Sequence, residues 1–166
     1  MRFFCSRVLN VSGFIICCLL LAAAYYLQYI QGIQPCPLCM LQRLVFMALA
    51  IILFVAMLHN PKKTGVRIYG ALTLIMAIAG VLLAWRHIWL QLHPKAATEI
   101  CVPGYAYLMT LPFVQAMRFL FQSSENCSHI IQVWGLSIPF WTLLCFAGFG
   151  VLALTQIVFA QRLNKH

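Results

Sequence analysis

The sequence predicts an all-α fold, an integral membrane four-helix bundle whose long outer loop carries a short interfacial helix. Three observations predict it. Hydrophobic residues make up 64% of the chain and charged ones only 8%, with a mean hydropathy of +0.94. A soluble domain of 166 residues keeps too large a surface to hide that much apolar side chain from water. The apolar residues also fall in runs close to the about 20 residues that a spanning helix needs. Finally, the basic residues gather between those runs on alternate connections, as topology signals do. Residues 1–166 are expected to form one transmembrane domain.

The expected spans are Val8–Ile30, Leu41–Leu58, Ile68–Leu90 and Ile138–Ala160. The first follows Arg2 and Arg7 and contains Ala22-Ala23-Ala24, which gives it some likeness to a signal peptide. Its apolar stretch is longer than a usual signal core and continues past the alanines, so it is expected to be retained. The second has Arg43 near its start, and the third has Arg86 and His87 near its end. Side chains at such positions reach the interface by snorkelling. Tyr25, Tyr26, Tyr29, Trp85, Trp89 and Trp141 fall near span ends, where an aromatic belt lies.

Seven of the 11 basic residues lie in the N-terminal tail (Arg2, Arg7), the connection between spans two and three (Lys62, Lys63, Arg67) and the C-terminal tail (Arg162, Lys165). Loop 31–40 has none, and loop 91–137 has Lys95 and Arg118 offset by Glu99 and Glu125. The positive-inside rule then places both termini in the cytoplasm and both of those loops outside. The net charge of +9 is not clustered as a nucleic-acid surface requires, so no nucleic-acid partner is expected.

In the long outer loop, Cys101-Val102-Pro103-Gly104 reads as a turn. After Pro112, the residues Phe113, Val114, Met117, Leu120 and Phe121 form a helical apolar stripe. A short helix in the membrane interface accounts for it, as does one packed on the outer end of the bundle.

Of eight cysteines, Cys17, Cys18 and Cys145 lie in apolar runs and Cys5 in the N-terminal tail, as small packing residues. Cys36, Cys39, Cys101 and Cys127 lie in the two loops predicted to face outward, where disulfides persist. Four cysteines permit three pairings.

Cys36-Pro37-Leu38-Cys39 is the sharpest motif, because two thiols this close can form a small disulfide ring or reopen it. Cys39 is expected at the N-terminal end of a helix, whose partial positive charge favours a thiolate. Arg43, four residues on, shares that helix face and keeps its charge. A fixed cation there would also stabilise negative charge growing on the oxygens of a quinone. Arg86 and His87 are expected at the same depth, and His87 could give a quinone oxygen a hydrogen bond or a proton. Taken singly, Arg43 reads as an interfacial anchor and His87 as a satisfied polar residue. Their coincidence with the CxxC on one membrane face favours the chemical reading.

A metal-handling membrane protein is the alternative from another class, using outward cysteines and methionines as soft ligands. Most methionines lie in apolar runs, however, and no carboxylate or His joins the outer cysteines at ligand spacing along the chain. No His directly follows the CxxC, so c-type haem attachment is not expected. Cysteines that merely staple the loops would make a structural subunit.

The run Gln34-Pro35-Cys36-Pro37-Leu38-Cys39-Met40-Leu41-Gln42-Arg43 resembles the matching stretch of the DsbB family, the disulfide bond formation proteins of bacterial inner membranes. The likeness extends to Cys101-Val102-Pro103-Gly104, to Cys127, and to Gly135-Leu136-Ser137-Ile138-Pro139 with Trp141. Glu125-Asn126 and Ile131 depart from the usual family pattern. The resemblance implies a membrane disulfide oxidoreductase of the bacterial inner membrane. A periplasmic DsbA-like partner with a thioredoxin fold would attack a Cys101–Cys127 disulfide, with Cys101 forming the mixed disulfide. Electrons would pass to Cys36–Cys39, and Cys39 would deliver them to ubiquinone or menaquinone beside Arg43 and His87. Vitamin K epoxide reductase relatives carry their CxxC on a late span, whereas here it precedes span two.

Overall fold

The computed structural model describes residues 2–32, 36–59, 61, 63–93, 112, 114–115, 132–133 and 136–162. Four long helices dominate: α1 (Arg2–Tyr29), α2 (Pro37–His59), α3 (Lys63–Leu92) and α4 (Ile138–Arg162). Each of the four predicted apolar segments lies within one of them, apart from Ile30 just past the end of α1. The first three helices begin earlier than their apolar runs, because helical hydrogen bonding continues beyond the hydrophobic stretch. Thus α1 starts at Arg2, and α2 starts at Pro37 and includes Cys39 and Met40. With 23 residues, α2 is about 34 Å long at the helical rise, enough to cross a hydrocarbon core about 30 Å thick.

The distribution of side chains is that of a membrane protein. Leu19, Ile51, Leu82 and Val151 are each more than 60% exposed, whereas Asn10, Thr73, Gln42, His87 and Gln156 are buried. Many large apolar side chains face outward while these polar side chains are kept inside, as lipid requires. Asn10 and Gln156 are joined across α1 and α4, the Gln156 Nε2 donating to Asn10 Oδ1 at 2.7 Å.

Helices α3 and α4 form the most extensive pair, with α1 on α2 and α2 on α3 completing the bundle. Its centre holds Cys17, Phe46, Leu49, Leu53, Ala77, Phe146 and Phe149. The rings of Phe46 and Phe146 stack at 4.1 Å between centroids. That stack depends on Gly80, where a Cβ would fall 2.3 Å from the Phe146 ring. Small residues of this kind let spanning helices approach closely. At the end of α1, Gly32 takes a φ of 67°, the left-handed turn that glycine accepts without strain and that stops helices.

A two-residue antiparallel ladder precedes α4, pairing Gln132 with Ser137 and Val133 with Leu136. The sequence reading had no strand there, since two residues per strand leave no alternation to detect. Within the expected outer-loop helix, Val114 and Gln115 are helical, and Gln115 N donates to the Pro112 carbonyl at 2.9 Å. The remainder of that helix, with Cys101 and Cys127, lies outside the described residues.

Candidate functional site

The site is built on the first turn of α2. Pro37 opens the helix, a position where its missing N–H costs nothing. Cys36 precedes it as the cap. Its carbonyl accepts from Met40 N at 3.1 Å, and its sulfur accepts from Cys39 N at 3.3 Å. A CxxC spacing is also the spacing of a helix cap to the third helical amide, so the motif closes on itself. The sulfurs lie 2.9 Å apart, with Cys36 Sγ donating to Cys39 Sγ. Cys36 is buried and Cys39 half-buried, packed with Leu38, Leu41 and Leu90. One residue is therefore sheltered and the other partly exposed.

His87 of α3 completes the cluster. It is only 3% exposed, with Nε2 3.6 Å from Cys36 Sγ and Nδ1 4.0 Å from Cys39 Sγ. A neutral imidazole has one protonated and one bare nitrogen, so either tautomer offers a proton to one sulfur and a lone pair to the other. The expectation that no His joins the outer cysteines is corrected here. Fifty-one positions separate His87 from Cys36 along the chain, so linear spacing could not reveal a contact made by packing α3 on α2. Its neighbour Arg86 points to the exposed side of α3.

Arg43 lies one turn further along α2 and reaches across to α1. Its Nη2 donates to the Ala24 carbonyl at 3.0 Å, and its Nη1 donates to Gln28 Oε1. The guanidinium carbon lies 5.3 Å from the centroid of the Tyr25 ring, a cation–π distance. Arg43 is thus a fixed cation held by the C-terminal end of α1. The sequence reading placed it on the Cys39 face of α2 and missed its holders. Gln28, the polar residue in an apolar run and one turn from Ala24, was the available signal.

Gln42 was also missed. It is 3% exposed, and its Oε1 accepts from Thr142 Oγ1 at 3.2 Å. Its Nε2 has no hydrogen-bond partner among the described residues. The chain's two acidic residues, Glu99 and Glu125, lie outside the described residues, so no described carboxylate competes for these cations and donors.

The arrangement is a thiol pair in contact with a sheltered imidazole, one helical turn along α2 from an arginine held by α1. The model of the family described as "Disulfide bond formation protein DsbB" matches residues 6–156. Curated relatives carry the name "Disulfide bond formation protein B". The Azoarcus sp. (strain BH72) protein is 41% identical over 160 residues, covering 95% of each chain. The Nitrosococcus oceani protein is 36% identical over 147 residues, covering 87% of each, and the Methylococcus capsulatus protein is 35% identical over 159 residues, covering 95% of this chain and 97% of its own. A thiol pair capped into a helix at the lip of a four-span bundle, in a chain matched over nearly its whole length, makes this protein a member of the DsbB family of membrane disulfide bond formation proteins.

Proposed function

We propose that the protein is a protein-thiol:quinone oxidoreductase of the bacterial inner membrane, which reoxidises a periplasmic DsbA-like thiol oxidase. The observation that carries this reading is the contact of Cys36, Cys39 and His87 where the start of α2 meets the end of α3. In the first exchange, a partner thiolate attacks Cys101 of a Cys101–Cys127 disulfide and leaves as the partner's own disulfide. The reduced loop pair then attacks the Cys36–Cys39 disulfide, so one disulfide opens for each that forms. Two electrons and two protons move with each exchange.

The residues present fit a quinone. Leu38 and Leu41 pack an apolar cluster around Cys36 and Cys39, Arg43 offers fixed positive charge, and a buried Gln42 amide nitrogen has hydrogen-bonding capacity to spare. Arg43 and His87 would hold the ring. Ubiquinone or menaquinone, when bound, supplies an acceptor for the two electrons and two protons released as the dithiol closes. The chain's own contribution is to hold Cys39 at the accessible edge, to present Cys36 and Cys39 to each other, and to pass protons through His87. The cap geometry of Cys36 supports this, since helix-end amides favour negative charge on sulfur. On this reading both termini lie in the cytoplasm and the four loop cysteines in the periplasm, as the basic residues of the connections support.

The test is purified protein in lipid with a quinone and a reduced DsbA-like partner. Quinol formation equal to partner oxidation, lost with Cys39→Ser, is expected. Partner oxidation without quinol would contradict the reading. Sidedness is checked by a membrane-impermeant maleimide applied to reduced spheroplasts, which is expected to label Cys39.

A further inference from the structure

The same three residues have a second chemistry that the redox reading does not use. We propose that Cys36, Cys39 and His87, with the pair reduced, form a binding site for a zinc-like divalent cation, and that the metal and the disulfide exclude each other.

The donor set is two sulfurs and one imidazole nitrogen, and the three ligand atoms all lie within 4.8 Å of one another. Zinc binds sulfur at about 2.3 Å and imidazole nitrogen at about 2.0–2.1 Å. Tetrahedral angles then require a sulfur–nitrogen separation of about 3.6 Å, and Cys36 Sγ to His87 Nε2 is 3.6 Å. The same geometry requires the sulfurs to stand about 3.8 Å apart, so the pair must widen from 2.9 Å. Cys39, only partly buried, can supply that movement by a side-chain rotation, and a water would complete the tetrahedron as fourth ligand.

Charge selects the ion. Two thiolates neutralise a divalent cation, so the complex carries no net charge into a low-dielectric setting, where a net charge is costly. A monovalent soft ion would leave one negative charge. Hard cations such as magnesium and calcium need oxygen ligands, and no described carboxylate lies at the site. Binding releases the two thiol protons and moves no electrons. A disulfide has no thiolate to offer, so only the dithiol binds. The consequence for turnover rests on the function proposed above: a metal-bound pair cannot close, and the enzyme stalls in its reduced form until the ion leaves.

The experiment uses the full chain in lipid with Cys101→Ser and Cys127→Ser, so that the loop pair cannot bind metal, reduced and titrated with zinc chloride. One zinc per chain is expected, with two sulfurs and at least one imidazole nitrogen in its zinc-edge X-ray absorption spectrum. Binding should vanish with Cys39→Ser and in the disulfide form, and should weaken about tenfold or more with His87→Asn. A zinc shell without imidazole, unchanged affinity with His87→Asn, or no stoichiometric binding would each overturn the proposal. The absorption spectrum is read with His87 intact, so misfolding of a variant cannot decide the matter. Oxidation of the pair by quinone in chelator-buffered medium is measured in parallel. If it proceeds while zinc fails to bind, the metal proposal fails alone. If zinc binds while oxidation fails, the redox reading fails alone.

Discussion

The imidazole Nε2 of His87 lies 3.6 Å from the sulfur of Cys36, a buried contact between residues 51 positions apart. It joins the end of α3 to the cap of α2 and sets a buried imidazole against the thiol pair, where the proposed reaction needs a proton carrier. Replacing His87 by Ala should therefore slow quinone-dependent oxidation by about a hundredfold, the scale of a lost acid–base group. Initial rates at saturating quinone check this, and both thiols should remain alkylatable in the reduced variant.

Arg43 is fixed by a fork of contacts to Ala24 and Gln28 and by the Tyr25 ring. A lysine keeps the charge and loses the fork. Arg43→Lys should raise the KM for quinone about tenfold or more, since hydrogen bonds to charged groups contribute about 1.5–3 kcal/mol, with a smaller change in kcat. Gln28→Ala removes one contact and should shift KM less. Steady-state kinetics over a range of quinone concentrations separates the two.

Gly80 admits the Phe146 ring, which a Cβ would meet at 2.3 Å. Gly80→Ala should destabilise the bundle by about 1–3 kcal/mol through overpacking. Adding Phe146→Leu to that variant should recover part of the loss, a coupling that thermal unfolding in detergent can measure.

Asn10 and Gln156 are hydrogen-bonded to each other inside the bundle. Asn10→Leu strands the Gln156 amide and should cost about 0.6–1.7 kcal/mol, the range measured for bonds between spanning helices. The double change to leucine at both positions should be less damaging than the sum of the single ones, because no polar group is left unpaired.

Much of this molecule was legible from its residues. The four spans follow from runs of apolar side chains, and the CxxC identifies the head of α2 because Pro37 and the cysteine spacing match a helix start. Helix ends were less legible, since Arg2 and Lys63 continue a helix whose apolar stretch has not yet begun. The contacts among Cys36, Cys39, Arg43 and His87 and their neighbours were not legible in the sequence. His87 was expected near a quinone, and its fit against both sulfurs emerges only when α3 packs on α2. Arg43 was placed on the correct helix, but its guanidinium is steered by Gln28 and Ala24, whose carbonyl carries no sequence signal at all.

The central claim is that Cys36 and Cys39 surrender their electrons to a quinone, and a single turnover tests it most directly. Protein with Cys101→Ser and Cys127→Ser, reduced, freed of reductant and metal and placed in lipid, is mixed with quinone, and the remaining thiols are alkylated and weighed. The account predicts that one quinol forms per chain while Cys36 and Cys39 together escape alkylation. A dithiol that stays fully alkylatable, with the quinone unchanged, would contradict it.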